Sequence, residues 1–168
     1  MKSICLALSE LVDRFPDVRV AFPVHLNPEV RKVVFPLLSK DERVWLTDPL
    51  DYFQNVQMIR HSTLILTDSG GIQEEAPILG KPVLVLRNKT ERPEGVLAGV
   101  ARLVGTDKLE IVKEASKLLS NAQVYRRAAA VTNPYGDGKA AKRIVNFLLY
   151  AFGQARSMPV PFVSELRS

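Results

Sequence analysis

TLILTDSGGIQEEAP, residues 63–77, opens on an apolar run from Leu64 to Thr67, turns through Asp68, Ser69, Gly70 and Gly71, and continues as a helical segment over 72–79. A strand that hands directly to a helix is half of a parallel crossover unit, because a parallel strand is reached only through a connection that crosses the sheet. The same alternation extends in both directions. Upstream, Ile4, Leu6, Leu8, Leu11 and Val12 recur at roughly helical spacing until Pro16, residues 18–24 read as a strand, and Pro28 starts a helix running through Val30, Val33, Val34 and Leu37. Residues 43–46 then read as strand and 52–61 as helix. Downstream, 82–86 and 102–104 read as strands, 86–99 as a charged loop, and 108–119, 123–130 and 139–152 as helices. Near-continuously apolar strands separated by helices predict an α/β fold, a Rossmann-like parallel sheet with helices on both faces. A doubly wound domain normally opens with a strand, whereas this sequence opens with a helix, so its start reads as cut.

Composition bounds the rest. With 168 residues, 46% hydrophobic and 24% charged, the chain holds one ordinary domain, and wholesale disorder, collagen and coiled coil are excluded. No apolar run approaches the roughly 20 residues of a membrane span. The single cysteine, Cys5, excludes an internal disulfide and any cysteine-rich zinc site, and with no signal peptide the expected location is cytoplasmic. Net charge is +5, and all of the excess lies after residue 120, where seven basic side chains face Asp137 and Glu165. No aromatic residues are interleaved there for base stacking, so nucleic acid is not an expected partner. The stretch 153–168 carries two prolines and no period, and reads as a tail or an arm.

Ligands of open α/β sheets bind at the carboxyl ends of the strands. Three strand ends stand out. At the first, Ser69, Gly70 and Gly71 begin a helix whose unpaired amides and positive dipole end suit a phosphate, with no Cβ in the way at the glycines. The alternative is that Asp68 or Ser69 merely caps the helix and the glycines merely make the turn. Glu74 and Glu75 are adjacent, so a helix points them about 100° apart and they cannot form a paired acid and base. One of them, a turn beyond the phosphate site, suits the two hydroxyls of a ribose. At the second, FPVHLNP over 22–28, His25 is a candidate acid, base or phosphate contact, with no neighbours at metal-ligand spacing. The third, LRNKTERPEGVLAG over 86–99, gathers Arg87, Thr90, Glu91 and Arg92. There is no GxGxxG, Walker-type or GxSxG pattern, which argues against dinucleotide redox chemistry, P-loop phosphoryl transfer and serine hydrolysis; no metal and no cofactor are expected.

FPVHLNP, TDSGGIQEEAP, GKPVLVLRNKTERPEG, VGTD and NPYGDGKAAKRI together resemble, in order and spacing over about 1–152, the C-terminal half of the non-hydrolysing UDP-N-acetylglucosamine 2-epimerases. The resemblance implies half of a glycosyltransferase-B-like fold. Residues 1–152 would be a UDP-binding domain and 153–168 a tail outside the match. It implies interconversion of UDP-N-acetylglucosamine and UDP-N-acetylmannosamine by elimination and re-addition of UDP. By the same resemblance Ser69 and Gly70, beside Gly71, would hold the UDP phosphates, Glu75 the ribose, and His25 a second UDP-sugar at a regulatory site. Glu91 and Arg92 match a loop motif of relatives, flanked by Arg87 and Thr90. The family's uracil-side aromatic aligns with Asn55, near Tyr52 and Phe53, a departure that alters the uracil contact.

The family's acidic catalytic residues belong to the N-terminal domain, as do several of its phosphate-binding basic residues. The chain is therefore expected to bind UDP weakly, to be inactive alone, and to need that domain in cis or in trans. Relatives pair as homodimers largely through the other half, so a monomer is expected here, with a homodimer as the alternative. A glycosyltransferase C-terminal domain and a non-catalytic UDP-sugar-binding module are the competing readings.

Overall fold

The computed structural model describes residues 1–130 and 134–163. Its elements run α1 (Lys2–Arg14), β1 (Val20–Pro23), α2 (Pro28–Leu38), β2 (Val44–Thr47), α3 (Tyr52–His61), β3 (Ile65–Thr67), α4 (Gly70–Ile78), β4 (Val83–Val85), α5 (Pro93–Ala98), β5 (Ala101–Leu103), α6 (Lys108–Ser120), α7 (Ala122–Ala129) and α8 (Ala140–Ala151). Several helix starts have a local cause. Asn27 accepts the Glu29 amide ahead of Pro28 at the head of α2, Asp51 and Gln54 form a reciprocal capping box on α3, and Asp107 accepts the Glu110 amide at 3.0 Å to start α6.

All strand pairs are parallel. β1 pairs with β2, Val20 opposite Val44, while β3, β4 and β5 form a second ladder in that order, Ile65 opposite Val83 and Val83 opposite Ala101. No ladder joins β1 to β3 among the described residues. The expected parallel sheet is thus present as two separate ladders.

The two ladders share a core. Leu84 and Leu86 of the β4 region face a cluster built from Leu8, Leu11 and Val12 of α1, Val34 and Leu38 of α2, Val44 of β2, and Ile111, Val112 and Ala115 of α6. The intervening Val83 and Val85 face the opposite side, where Ile59 of α3, Ala76 of α4 and Val100 lie. β4 is buried on both faces, as a central parallel strand must be. On the first face Lys108 of α6 binds Glu10 of α1 at 2.8 Å, and the Arg43 guanidinium donates to the Val12 carbonyl at 2.7 Å.

One segment departs from the sequence reading. Residues 93–98, expected within a loop, form the short helix α5, with Pro93 at its first turn and Gly99 closing it at φ +80°. Proline inside a helix start and glycine just past its end are helix punctuation, and the charge density around them concealed it.

At the other end, α8 buries none of its residues and leaves Ile144, Phe147 and Leu148 exposed. Residues 153–163 fold back along it. The Arg143 guanidinium donates to the Val160 carbonyl at 3.2 Å and stands 5.8 Å from the Phe162 ring centroid. Asn133, which heads the NPYGDG motif, and residues 164–168 lie outside the described residues. No helix among the described residues is long and apolar enough to cross a membrane.

Leu84 is 1% exposed at the centre of the shared core. Leu84→Ala is expected to cost about 2–5 kcal/mol and to lower the thermal midpoint by roughly 5–20 °C, checked by circular dichroism melting.

Candidate functional site

β3 ends at Thr67 and α4 begins at Gly70, so the chain turns in two residues at the carboxyl end of the second ladder. The Ser69 amide donates to the Thr67 hydroxyl at 3.0 Å, which folds the turn tightly. Ser69 stands at the N-cap of α4, yet its side chain makes no capping bond. The first helical bond is donated by the Gln73 amide to the Ser69 carbonyl at 3.3 Å, so the amides of Gly70, Gly71 and Ile72 precede it as open donors of the first turn. Neither Gly70 nor Gly71 has a positive φ, so the backbone does not demand glycine at either position. A Cβ on Gly71 would meet only the Ser69 hydroxyl at 3.9 Å, and one on Gly70 only Glu91 and Arg92 at 3.6 and 3.8 Å. Gly71 is exposed and Gly70 half-buried, so the turn is open to solvent. The capping alternative is not what the structure contains: the serine hydroxyl and the first-turn amides remain available to an anion.

A second strand end is fastened onto this helix start. Gln73 is fully buried, and both ends of its amide are used. Its Nε2 donates to the Ser69 carbonyl at 3.3 Å, and its Oε1 accepts the Thr90 hydroxyl at 2.6 Å. The Thr90 oxygen in turn accepts the Arg92 amide at 3.0 Å. This clip lays Glu91 and Arg92 over Gly70.

Beyond it, Arg92 Nε donates to Glu74 Oε1, and Arg87 pairs with Glu91 at 3.1 Å. The hydrogen bond from Arg92 to Glu74, with the carboxylate charge behind it, raises a guanidinium pKa that is already high, so Arg92 stays cationic. Glu75 is half-buried and has no hydrogen-bond or ion-pair partner among the described residues. The two adjacent glutamates are therefore divided as the helix geometry demands, one engaged with the loop and the other unengaged.

The other predicted residues are not gathered here by any bond. His25 is exposed at the end of β1, in the other ladder, where its Nδ1 accepts the Asn27 amide at 3.1 Å. Phe53 is 71% exposed and Asn55 half-buried on α3, which packs beside α4. A solvent-open depression of about 600 Å3 lies at the carboxyl ends of β4 and β5, where Arg87 and Asn88 meet Gly105, Thr106, Asp107 and Ser3 of α1.

Three participants escaped the sequence reading. Gln73 looked like one more polar residue of a helix, and Glu74 was not assigned a partner. Tyr135 stands within NPYGDG, where spacing alone gives it no role. A Cβ on Gly95 would overlap the Tyr135 hydroxyl, so the tyrosine of a distant motif packs directly against the glycine of TERPEG. Burial pushes the Tyr135 phenol above its ordinary pKa, with the Gly95 backbone pulling the other way. Two motifs that keep company across 40 residues were the only available signal.

Residues 1–149 match the family model described as UDP-N-acetylglucosamine 2-epimerase. The chain belongs to that family. The UDP-N-acetylglucosamine 2-epimerase of Escherichia coli K12 is 51% identical over 147 residues, 88% of this chain and 39% of the relative. The Bacillus subtilis protein of the same name is 46% identical over 165 residues, 98% of this chain and 43% of the relative. Among solved structures, Staphylococcus aureus MnaA with UDP superposes at a TM-score of 0.91 with 42% identity, covering 96% of this chain and 44% of that one. The Neisseria meningitidis UDP-GlcNAc 2-epimerase bound to UDP-GlcNAc gives 0.84 with 47% identity, covering 89% and 40%. The epimerase-family chain described here thus spans about two-fifths of the length of these curated relatives.

Thr90→Val removes the hydroxyl while keeping the shape, leaving the buried Gln73 oxygen without its donor. A loss of about 1–3 kcal/mol is expected in urea unfolding, with the far-ultraviolet spectrum unchanged.

Proposed function

We propose that residues 1–152 form the UDP-binding domain of a UDP-N-acetylglucosamine 2-epimerase, with 153–168 as an appended arm. The observation that carries this reading is the open helix start at Ser69–Gly71, whose serine makes no capping bond and over which the loop bearing Arg92 is clipped. In this reading the Ser69 hydroxyl and the amides of Gly70 and Gly71 hold the UDP phosphates, and the cationic Arg92 adds charge beside them. Each charge-assisted hydrogen bond to phosphate is worth about 1.5–3 kcal/mol. Glu75, unengaged and on the first turns of the same helix, accepts the two ribose hydroxyls. Phe53 and Asn55 border the uracil from α3, and His25 serves a second, regulatory sugar nucleotide.

The reaction is the one that the family resemblance implies. The C2 proton of the sugar is removed, and the C1–O bond breaks with its electron pair leaving on UDP. A C1=C2 double bond remains. UDP then returns to C1 while a proton is added to the opposite face of C2. This chain's part is to stabilise the departing diphosphate, since a developing charge is best met by dipoles already in place. Proton transfer falls to residues of the other domain, present in cis or in trans, and a homodimer is formed through that domain.

Titration calorimetry tests the grip. The chain is expected to bind UDP in the millimolar range, and Ser69→Asp, which sets a carboxylate against the phosphates, to weaken binding at least tenfold without moving the melting midpoint. Unchanged affinity would place the phosphates elsewhere. No mannosamine product is expected from the chain alone. Product formed on adding a separately expressed N-terminal half would mark the domain as one half of the enzyme.

A further inference from the structure

Glu74 stands four residues after Gly70 on α4. Helical side chains lean toward the N-terminus and positions four apart share a face, so the Glu74 carboxylate is carried back toward the helix start, over a residue with no side chain of its own. Arg92 fills that side. A Cβ on Gly70 would lie 3.8 Å from its Nη2 and 3.9 Å from its Cζ.

The guanidinium is held at two of its three nitrogens. Nε donates to Glu74 Oε1, and Nη1 donates to the Glu91 carbonyl at 3.2 Å. The fork is planar and rigid, so two fixed donors set the direction of the third. That third nitrogen, Nη2, makes no hydrogen bond among the described residues and is the one beside Gly70. The backbone end of the residue is fixed as well, since the Arg92 amide donates to the Thr90 hydroxyl and that hydroxyl donates to Gln73. Gln73 and Glu74 are consecutive on α4. One helix therefore offers the open amides and also holds both ends of the arginine next to them.

A second carboxylate competes for this arginine. Glu91, its neighbour in the chain, brings Oε2 to 3.6 Å from the Gly70 Cβ position, while its Oε1 is paired with Arg87 at 3.1 Å. Were Arg92 to turn to Glu91, the two charges would cancel over the first-turn amides. Glu74 opposes that by taking Nε. The side chains of the Arg92–Glu74 pair are 37% and 40% exposed, and an ion pair so exposed adds little to stability. Its consequence lies in where it leaves Nη2.

We propose that Glu74 is a positioning residue: by accepting Nε it holds Arg92 with Nη2 turned to the helix start at Ser69–Gly71, so that a diphosphate there meets a preoriented charged donor as well as the amides. The inference rests on the reading of Ser69–Gly71 as the phosphate site. Preorientation favours binding because a free arginine loses side-chain freedom on engaging a ligand, and one already held loses less. The sign of the effect separates this role from plain electrostatics. A carboxylate near an anion site repels the anion, so where charge alone acts its removal tightens binding. Removal of a positioning acceptor weakens it.

The test titrates UDP and inorganic pyrophosphate into the full chain and into its Glu74→Ala and Glu74→Gln variants. Glu74→Ala is expected to weaken both ligands about fivefold, at low and at high salt alike. Glu74→Gln keeps an acceptor oxygen and loses the charge, and is expected to bind both at least as tightly as the parent. The Arg92 Nε–H resonance is expected to exchange faster with water in Glu74→Ala and to keep its protection in Glu74→Gln, with the melting midpoints of all three proteins alike. Equal or tighter binding by Glu74→Ala, or a glutamine variant as weak as the alanine variant, would overturn the positioning role while leaving the phosphate site standing. A parent chain that binds neither ligand would overturn the phosphate site itself and the role built on it.

Discussion

A parallel strand cannot return to its sheet without crossing it, and this constraint governs the rest of the molecule. Every strand must deliver its carboxyl end to a connection that leads into a helix, so helix starts collect along one edge of the sheet. The open start of α4 lies on that edge because β3 ends two residues before it. The amides there are unpaired for a reason internal to helices, the lack of a preceding turn, and the cap residue leaves them so. An anion site arises from topology before any side chain is chosen for it.

What turns that generic feature into a specific one is a buried amide. Gln73 spends both ends of its side chain on fastening, one to the Ser69 carbonyl and one to the Thr90 hydroxyl. A fully buried carboxamide with a missing partner would be costly, so the helix start and the loop after β4 are held as one unit. The ion pair between Arg92 and Glu74 then limits where the guanidinium can rest. The loop after β4, rich in charge, is tied down at Thr90 and continued by α5.

Much of the local structure was legible because it follows from short-range physics. The helix over 52–61 is announced by Asp51 and Gln54, which cap each other reciprocally, and the helix from Pro28 by Asn27. The strand at β4 is legible from its unbroken apolar run, and the phosphate-suited turn from two glycines between an apolar run and a helix. Helix α5 carried the same kind of signal in Pro93 and Gly99, but a preference for reading charge as loop outweighed it. The apolar stripe on α8 was equally visible, although nothing in the pattern told that its face would be left uncovered.

Sequence alone determined the α/β alternation, the place of the anion-suited turn and, through five motifs in register, the family. These rest on neighbours along the chain, whose interactions are set by spacing. Only the tertiary structure decided that Gln73 holds the loop of Thr90, that Arg92 takes Glu74 and leaves Glu75 unengaged, and that Gly95 packs against Tyr135. It alone split the strands into two ladders. Contacts between residues 17 to 40 positions apart depend on how helices settle on both faces of the sheet, and no periodicity in the sequence encodes that packing.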